Sequence, residues 1–326
     1  MCLENHEIDN GQKKPMVILT GPTAVGKTKL SLELARRIHG EIISADSMQV
    51  YEYMDIGSAK IMPEEMQGIP HHLIGVLKPW ESFDVVEFQR LCKEALAGIY
   101  ERGNIPIVTG GTGFYIQALL RDIDFTENEE DTKYREQLEK LAAEKGAGYL
   151  HDLLTKVDPK AADAIHENNI KRTIRALEFY HLTGQCISDH NERELQRERA
   201  YNACYFVLND DREILYDRIE KRVDQMVGNG LLEEVKRLKD MGCDRSMVSM
   251  QGLGYKEILE FLDGETSLEQ AINKIKLSTR HFAKRQLTWF RREKDVIYVN
   301  KPDFEYDDGR MLEYMLACLE KQGIIK

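Results

Sequence analysis

Gly21-Pro22-Thr23-Ala24-Val25-Gly26-Lys27-Thr28 fits the phosphate-binding pattern G-x-x-x-x-G-K-[ST]. Before it, Met16-Val17-Ile18-Leu19-Thr20 reads as a short buried strand. After it, Lys29 to Ile38 reads as an amphipathic helix, with Leu30, Leu34 and Ile38 on one face. Strand, glycine turn and helix start together aim backbone N–H groups and a helix dipole at one point. Gly21 and Gly26 permit backbone conformations that a side chain forbids. Lys27 adds a positive charge, and the Thr28 hydroxyl is suited to hold Mg²⁺. Four fixed positions match by accident in roughly 1% of chains this long. The motif defines a di- or triphosphate site and leaves its chemistry open.

The rest of the chain sets the frame. Its 326 residues suffice for about two domains. With 42% hydrophobic and 31% charged residues it has a globular profile. No run approaches the ~18 apolar residues of a membrane span. Glu4, Glu7 and Asp9 interrupt any signal-peptide core, and residues 1–14 read as a disordered leader. The six cysteines are scattered without a C-x-x-C pair, which points away from a disulfide framework and towards a reducing, cytoplasmic setting. A net charge of −11 means that any nucleic-acid contact needs a local basic patch.

Gly40-Glu41-Ile42-Ile43-Ser44-Ala45-Asp46 gives a glycine helix stop, a second strand and an acid at its C-terminal end. In an open parallel sheet that edge carries the ligand crevice. Asp46 suits either a Mg²⁺-side carboxylate or a general base facing a second substrate. Gln49 to Lys60 reads as a loop over the site. His71 and His72 are adjacent, a poor metal pair. Phe83 to Tyr100 has helical spacing, with Val86, Leu91, Ala95 and Ile99 as core positions. A third strand, Asn104 to Thr109, runs into Gly110-Gly111-Thr112-Gly113, where glycines mark close backbone approach. Thr112 is either a site residue on the same sheet edge or a plain helix cap.

Strand signals vanish between residues 122 and 200. The acids Glu127 to Asp131 precede a helix through Glu144, and Asn191 to Arg199 reads as a charged linker. This segment reads as a helical insertion of the kind that works as a lid, with Lys171, Arg172 and Arg175 as a small basic cluster. Ala203 to Leu208 returns to the core as a fourth strand. In the following helix Arg222, four residues after Arg218, either reaches a phosphate or pairs with a neighbouring acid. Placed on a wheel of ~100° per residue, Arg280, His281, Lys284, Arg285, Thr288, Arg291 and Arg292 share one arc of a late helix. Phe282, Ala283, Leu287, Trp289 and Phe290 fill the other. Five fixed positive charges on one face of an acidic chain are the footprint expected for a phosphate backbone. Val296 to Val299 reads as a last strand, followed by an acidic turn and a closing helix. The fold expected is α/β, a P-loop NTPase-like parallel sheet flanked by helices. Its core is 15–121 and 201–326, and its helical insertion is 122–200.

Together these residues resemble the tRNA dimethylallyltransferase (tRNA isopentenyltransferase) family over about residues 16–300. The resemblance is carried by Gly21 to Thr28, Asp46 to Tyr51 with Met54 to Gly57, Gly110 to Tyr115, Arg172 with Arg175 to Glu178, Gly254-Tyr255-Lys256, and Ala283 to Arg291. Gly75, Ser58 and Asn169 depart from the family pattern. The Cys/His finger that some eukaryotic members carry at the C-terminus is not seen, so the chain looks like the bacterial type. The resemblance implies a dimethylallyl diphosphate donor, Mg²⁺ on Thr28, and a tRNA acceptor: the adenosine 3′ of the anticodon, met as an anticodon stem-loop. It implies that Gly21, Pro22, Thr23, Ala24, Val25, Gly26, Lys27 and Thr28 cradle diphosphate, with Arg222 assisting. Asp46 becomes the base, and Thr112 holds donor or base in place. It assigns tRNA contact to Asp46, Ser47, Met48 and Gln49, to Thr112 and Arg135, and to Lys171, Arg172, Thr173, Ile174 and Arg175. Further contacts fall on Gln251, Gly252, Leu253, Gly254, Tyr255 and Lys256. The last fall on Lys284, Arg285, Gln286, Leu287, Thr288, Trp289, Phe290 and Arg291. A monomer without a membrane partner is expected. A small-molecule P-loop kinase and a non-catalytic RNA-binding ATPase compete with this reading, but a kinase gives no reason for the late cationic arc.

Overall fold

The computed structural model describes residues 13–125 and 132–326. Most of the expected leader, residues 1–12, and the acids Glu127 to Asp131 lie outside the described residues. The chain divides into two compact units: residues up to Leu120 together with Tyr201–Lys326, and Arg121–Ala200.

The first unit begins with β1 (Pro15–Thr20), α1 (Lys27–Ile38), β2 (Gly40–Ala45), β3 (His71–His72), α2 (Val85–Glu101), β4 (Ile105–Gly110) and α3 (Gly113–Leu120). The second unit consists of α4 (Thr132–Lys145), α5 (Ala147–Val157), α6 (Pro159–Ala164), α7 (Ile170–Thr183) and α8 (Ile187–Gln196). The first unit resumes with β5 (Asn202–Asn209), α9 (Arg212–Gly228), α10 (Leu231–Asp240), α11 (Tyr255–Leu262), α12 (Leu268–Phe290), β6 (Ile297–Asn300) and α13 (Asp308–Lys321).

The strands form one parallel sheet in the order β3-β2-β4-β1-β5-β6. A parallel sheet needs helices on both faces, and its strands are therefore apolar throughout. In β1 the two-residue period divides them: Met16 and Ile18 enter one core, Val17 and Leu19 the other. The first core adds Phe88 and Cys92 of α2 and Tyr255 of α11; the second adds Leu30 and Leu34 of α1 and Met315 of α13. Register places Thr20 and Ala45 both opposite Gly110, so three loops leave the sheet at one level.

Several local expectations are corrected. Gly40 does not stop α1. His39 takes the left-handed cap with φ 51°, and Gly40 lies in β2, where a Cβ would meet Ile107 Cδ1 at 2.8 Å. Asp84 caps α2, its Oδ1 accepting from Val86 N at 2.9 Å and Glu87 N at 3.0 Å. From that start Phe88, Cys92, Leu96 and Ile99 face inward, Val86 is exposed, and Leu91 and Ala95 are half-buried. Asn191 to Gln196 is not a linker but the second half of α8. Its Glu, Gln and Arg residues favour helix, and Lys160 reaches across to Asp189 at 3.1 Å and Glu192 at 3.4 Å.

Within the second unit Leu138, Leu150, Leu154, Ile174 and Leu177 form a core of their own. Asp158 caps α6, with Pro159 at its first position, and Gly184 closes α7 in the left-handed region. In the first unit Ser267 opens α12 with a capping box: Gln270 N donates to Ser267 Oγ and Ser267 N to Gln270 Oε1.

Leu34 is fully buried against the second face of the sheet. Leu34→Ala is expected to lower stability by about 2–5 kcal/mol, read as a fall in the urea midpoint with an unchanged slope.

Candidate functional site

The loops after β1, β2 and β4 enclose a cavity of about 400 Å³ within the first unit. Its phosphate-loop wall is Thr23, Ala24, Gly26, Lys27 and Thr28. Ser44 lies in β2 with Asp46 and Gln49 after it, and Gly110 ends β4 with Gly111 after it. Arg218, Arg222 and Gln225 come from α9, Phe282 and Gln286 from α12. Ile42, Ile61, Ile74 and the Phe282 ring give the polar cavity an apolar part.

The glycine loop has the geometry its sequence demands. Gly21 has φ 144°, and a Cβ there would sit 2.3 Å from Leu208 O; Gly26 has φ 99° at the start of α1. Ala24 also takes a positive φ of 62°. Three long side chains brace the loop. Lys27 Nζ donates to Gly21 O and Pro22 O, both at 2.9 Å. Thr23 N donates to Gln286 Oε1 at 2.9 Å, while Gln286 Nε2 donates to Gly111 O at 2.9 Å, tying the two glycine turns together. Lys301 Nζ donates to Val25 O at 3.2 Å.

Asp46 Oδ1 accepts from Met48 N at 2.8 Å and Gln49 N at 3.3 Å, an Asx turn that fixes the carboxylate at the end of β2. Burial, then the nearby Arg222, pushes the Lys27 ammonium down to about 8, against an opposing pull from Asp46. Burial likewise lowers Arg222, and Asp46 again opposes. Among the described residues Arg222 forms no ion pair with a neighbouring acid. Arg218 instead pairs with the buried Asp210. The Thr28 hydroxyl borders the cavity and has no hydrogen-bond partner among the described residues.

Other residues named from the sequence fall in different places. Thr112 sits just before α3, where its carbonyl accepts from Tyr115 N at 3.0 Å; the cavity wall there is Gly110 and Gly111. His71 borders the cavity, whereas His72 Nε2 lies 2.7 Å from Glu41 Oε2. On α12 Lys284, Arg285 and Thr288 are exposed, with Arg291 and Arg292 beyond its end. His281, Lys284, Arg285, Thr288, Trp289 and Arg292 surround a shallow depression of about 390 Å³. Lys284, Arg285, Arg291 and Arg292 have no carboxylate partner among the described residues, while Arg280 pairs with Glu220 at 2.9 Å.

Five residues in the expected RNA-contacting blocks are corrected. Thr173, Ile174, Tyr255, Gln286 and Phe290 are buried, so their side chains are not available to RNA. Tyr255 and Phe290 pack in the core, and Gln286 spends both ends of its amide on the glycine turns. Gln251 is exposed and donates to Arg245 O. In the second unit Lys171 and Arg172 are exposed on the first turn of α7. Arg135 and Arg175 both reach the buried Glu178, at 2.6 and 3.2 Å. Reasoning from sequence missed Arg218, Gln225 and Lys301. The four-residue spacing of Arg218 from Arg222 was the available signal for the first; nothing local marked Lys301.

A phosphate loop facing a carboxylate across a cavity, with a cationic helix face on the same unit, defines a group-transfer site for a phosphorylated donor. The chain matches the family model described as IPP transferase over residues 49–293 and that described as isopentenyl transferase over residues 15–75. It is 60% identical to a tRNA dimethylallyltransferase of Lachnoclostridium phytofermentans, over 96% of this chain and all of the relative. It is 52% identical to one from Bacillus velezensis, over 95% and 99%. Among solved structures it is similar to the full-length tRNA isopentenylpyrophosphate transferase of Bacillus halodurans, with TM-score 0.71, 45% identity, and coverage of 96% and 98%. A eukaryotic dimethylallyltransferase acting on tRNA gives TM-score 0.76 and 32% identity, over 88% of this chain and 74% of that one. The chain belongs to the IPP transferase family.

The lowered Lys27 pKa sets a pH dependence. A bound diphosphate favours the protonated amine, so affinity is full below about pH 8 and falls as the free pocket loses that proton above it. Calorimetric titration with a diphosphate monoester from about pH 7.5 to about pH 9.5 is expected to show this decline, and Lys27→Met to be weak and flat over the range.

Proposed function

We propose that this protein is a tRNA dimethylallyltransferase. It moves the dimethylallyl group of dimethylallyl diphosphate onto the exocyclic amine of the adenosine 3′ of the anticodon, releasing diphosphate. The observation that carries this reading is a phosphate loop and the Asp46 carboxylate on separate walls of one cavity. The close relatives named for that activity support it.

In the reaction the allylic C–O bond breaks and its electrons pass to the departing diphosphate. Loop N–H groups, Lys27 and Arg222 neutralise that charge in a partly dehydrated pocket. The adenine amine is a weak nucleophile because its lone pair is delocalised into the ring. As its bond to carbon forms, its proton goes to Asp46. Two backbone amides occupy Asp46 Oδ1, and Oδ2 is the oxygen left to accept it. The apolar wall of Ile42, Ile61, Ile74 and Phe282 suits a five-carbon tail.

The Thr28 hydroxyl suits Mg²⁺, a hard ion that takes one or two protein oxygens and fills its shell from phosphate and water. When bound, the ion adds positive charge to the leaving diphosphate. The target base lies in a stacked anticodon loop and must be flipped to reach the cavity. The exposed cations Lys284, Arg285, Arg291 and Arg292 supply contacts for the RNA backbone.

Incubation with dimethylallyl diphosphate, Mg²⁺ and unmodified tRNA is expected to yield prenylated adenosine; ATP hydrolysis or phosphoryl transfer in its place overturns the reading. Asp46→Ala is expected to lower turnover about 10²-fold or more while tRNA still binds, and a near-normal rate would remove Asp46 as the base. Lys284→Ala combined with Arg291→Ala is expected to weaken tRNA binding and flatten the plot of log K against log salt by about 1 to 2 units of slope. An unchanged slope would return these cations to ordinary solvated surface.

A further inference from the structure

Glu234 is a carboxylate sealed inside the protein, 1% exposed, and no part of the cavity wall. A buried charge is costly unless its partners are in place. Here four donors meet it. Asp55 N and Ile56 N donate to Oε2 at 3.0 and 2.8 Å; Gly57 N and the Tyr255 hydroxyl donate to Oε1 at 3.0 and 2.8 Å. The next amide, Ser58 N, donates to the Tyr255 oxygen at 3.1 Å. Four consecutive N–H groups of an irregular loop thus converge on one carboxylate and its tyrosine. The fit allows no side chain at residue 57, where a Cβ would fall 2.6 Å from the Tyr255 ring.

The far side of the same loop serves the cavity. Ser58 lines it. The carbonyls of Ser58 and Ala59 accept from Gln49 Nε2 at 3.4 and 3.3 Å. Gln49 in turn accepts from Ser44 Oγ at 3.2 Å through its side-chain oxygen and donates from its backbone to Asp46 Oδ1 at 3.3 Å. A continuous run of hydrogen bonds therefore leads from α10 to the carboxylate that faces the acceptor.

We propose that Glu234, with the Tyr255 hydroxyl, is a positioning residue for the acceptor half of the site. It holds Asp55 to Ser58 so that Gln49, and through it Asp46, keep the orientation the acceptor amine requires. It touches no reactant. An apolar residue would fill the space and leave three amides and the Tyr255 hydroxyl without an acceptor, so the loop would rearrange. The phosphate loop is braced separately, by Gln286 and Lys301, and is unaffected.

This inference builds on the prenyl-transfer reading, and the experiment separates the two. Glu234→Gln replaces an acceptor oxygen by an N–H that faces other N–H groups; Tyr255→Phe removes a single hydroxyl and keeps the ring. For each, the melting temperature, the diphosphate Kd, and kcat and KM for donor and tRNA are measured. Both variants are expected to bind diphosphate within about twofold of wild type and to keep the donor KM. Turnover is expected to fall about tenfold in Glu234→Gln and less in Tyr255→Phe. In a cycle with Gln49→Ala, the Glu234→Gln loss is expected to shrink, because both act through one connection. Wild-type turnover in the folded variants overturns the proposal, as do purely additive losses in the cycle or a diphosphate affinity that falls in step with kcat. Should Glu234→Gln fail to fold, Tyr255→Phe and its own cycle with Gln49→Ala decide the matter by the same criteria. A wild-type enzyme that does not prenylate tRNA overturns the functional reading and this inference with it, whereas an active wild type with unaffected variants overturns this inference alone.

Discussion

Parallel register is the constraint from which the site follows. Thr20 and Ala45 both pair with Gly110, so the loops after β1, β2 and β4 must diverge from one line at the edge of the sheet. The crevice they leave is the position where open α/β sheets bind ligands. Each loop then contributes one kind of chemistry: anion-binding amides and Lys27 from the first, a carboxylate from the second, and glycine backbone thin enough to leave room from the third. The buried amide of Gln286 couples the first loop to the third, which neither glycine turn can do with its own side chains.

Charge is distributed to suit this arrangement. The protein is acidic overall, at −11, yet the cavity gathers Lys27, Arg218 and Arg222 against Asp46. Many exposed lysines and arginines are spent on nearby carboxylates, as with Arg90 on Glu87 and Lys274 on Glu260. The end of α12 gathers four cations, Lys284, Arg285, Arg291 and Arg292, that have no such partner among the described residues. Unneutralised cations gathered on an acidic body give a local site of polyanion attraction.

Where sequence legibility was high, the information was local. The phosphate loop, the alternation of β1 and the acid after β2 are each written within a few consecutive residues. So is the amphipathic character of α12, whose predicted inner and outer arcs largely agree with burial. Gln286 falls in the block that the family resemblance assigns to RNA contact, yet its angle on the helix turns it inward. Val86 has the apolar character of a core residue, but the cap at Asp84 sets the phase of α2 and turns it outward. The charged end of α8 looked like a linker because its stabilising partner Lys160 lies some thirty residues away. Lys301 and Glu234 act on loops far off in the chain, and no spacing rule reaches that distance.

The double duty of α12 has an evolutionary corollary. One side of a single rod, through Gln286, grips the phosphate loop, and the opposite side presents exposed cations. Loss or gain of one residue ahead of Ala283 would swing both sides through about 100° at once. Drift in length therefore disturbs both sides together, whereas a substitution on the outward side leaves the Gln286 brace on the phosphate loop in place.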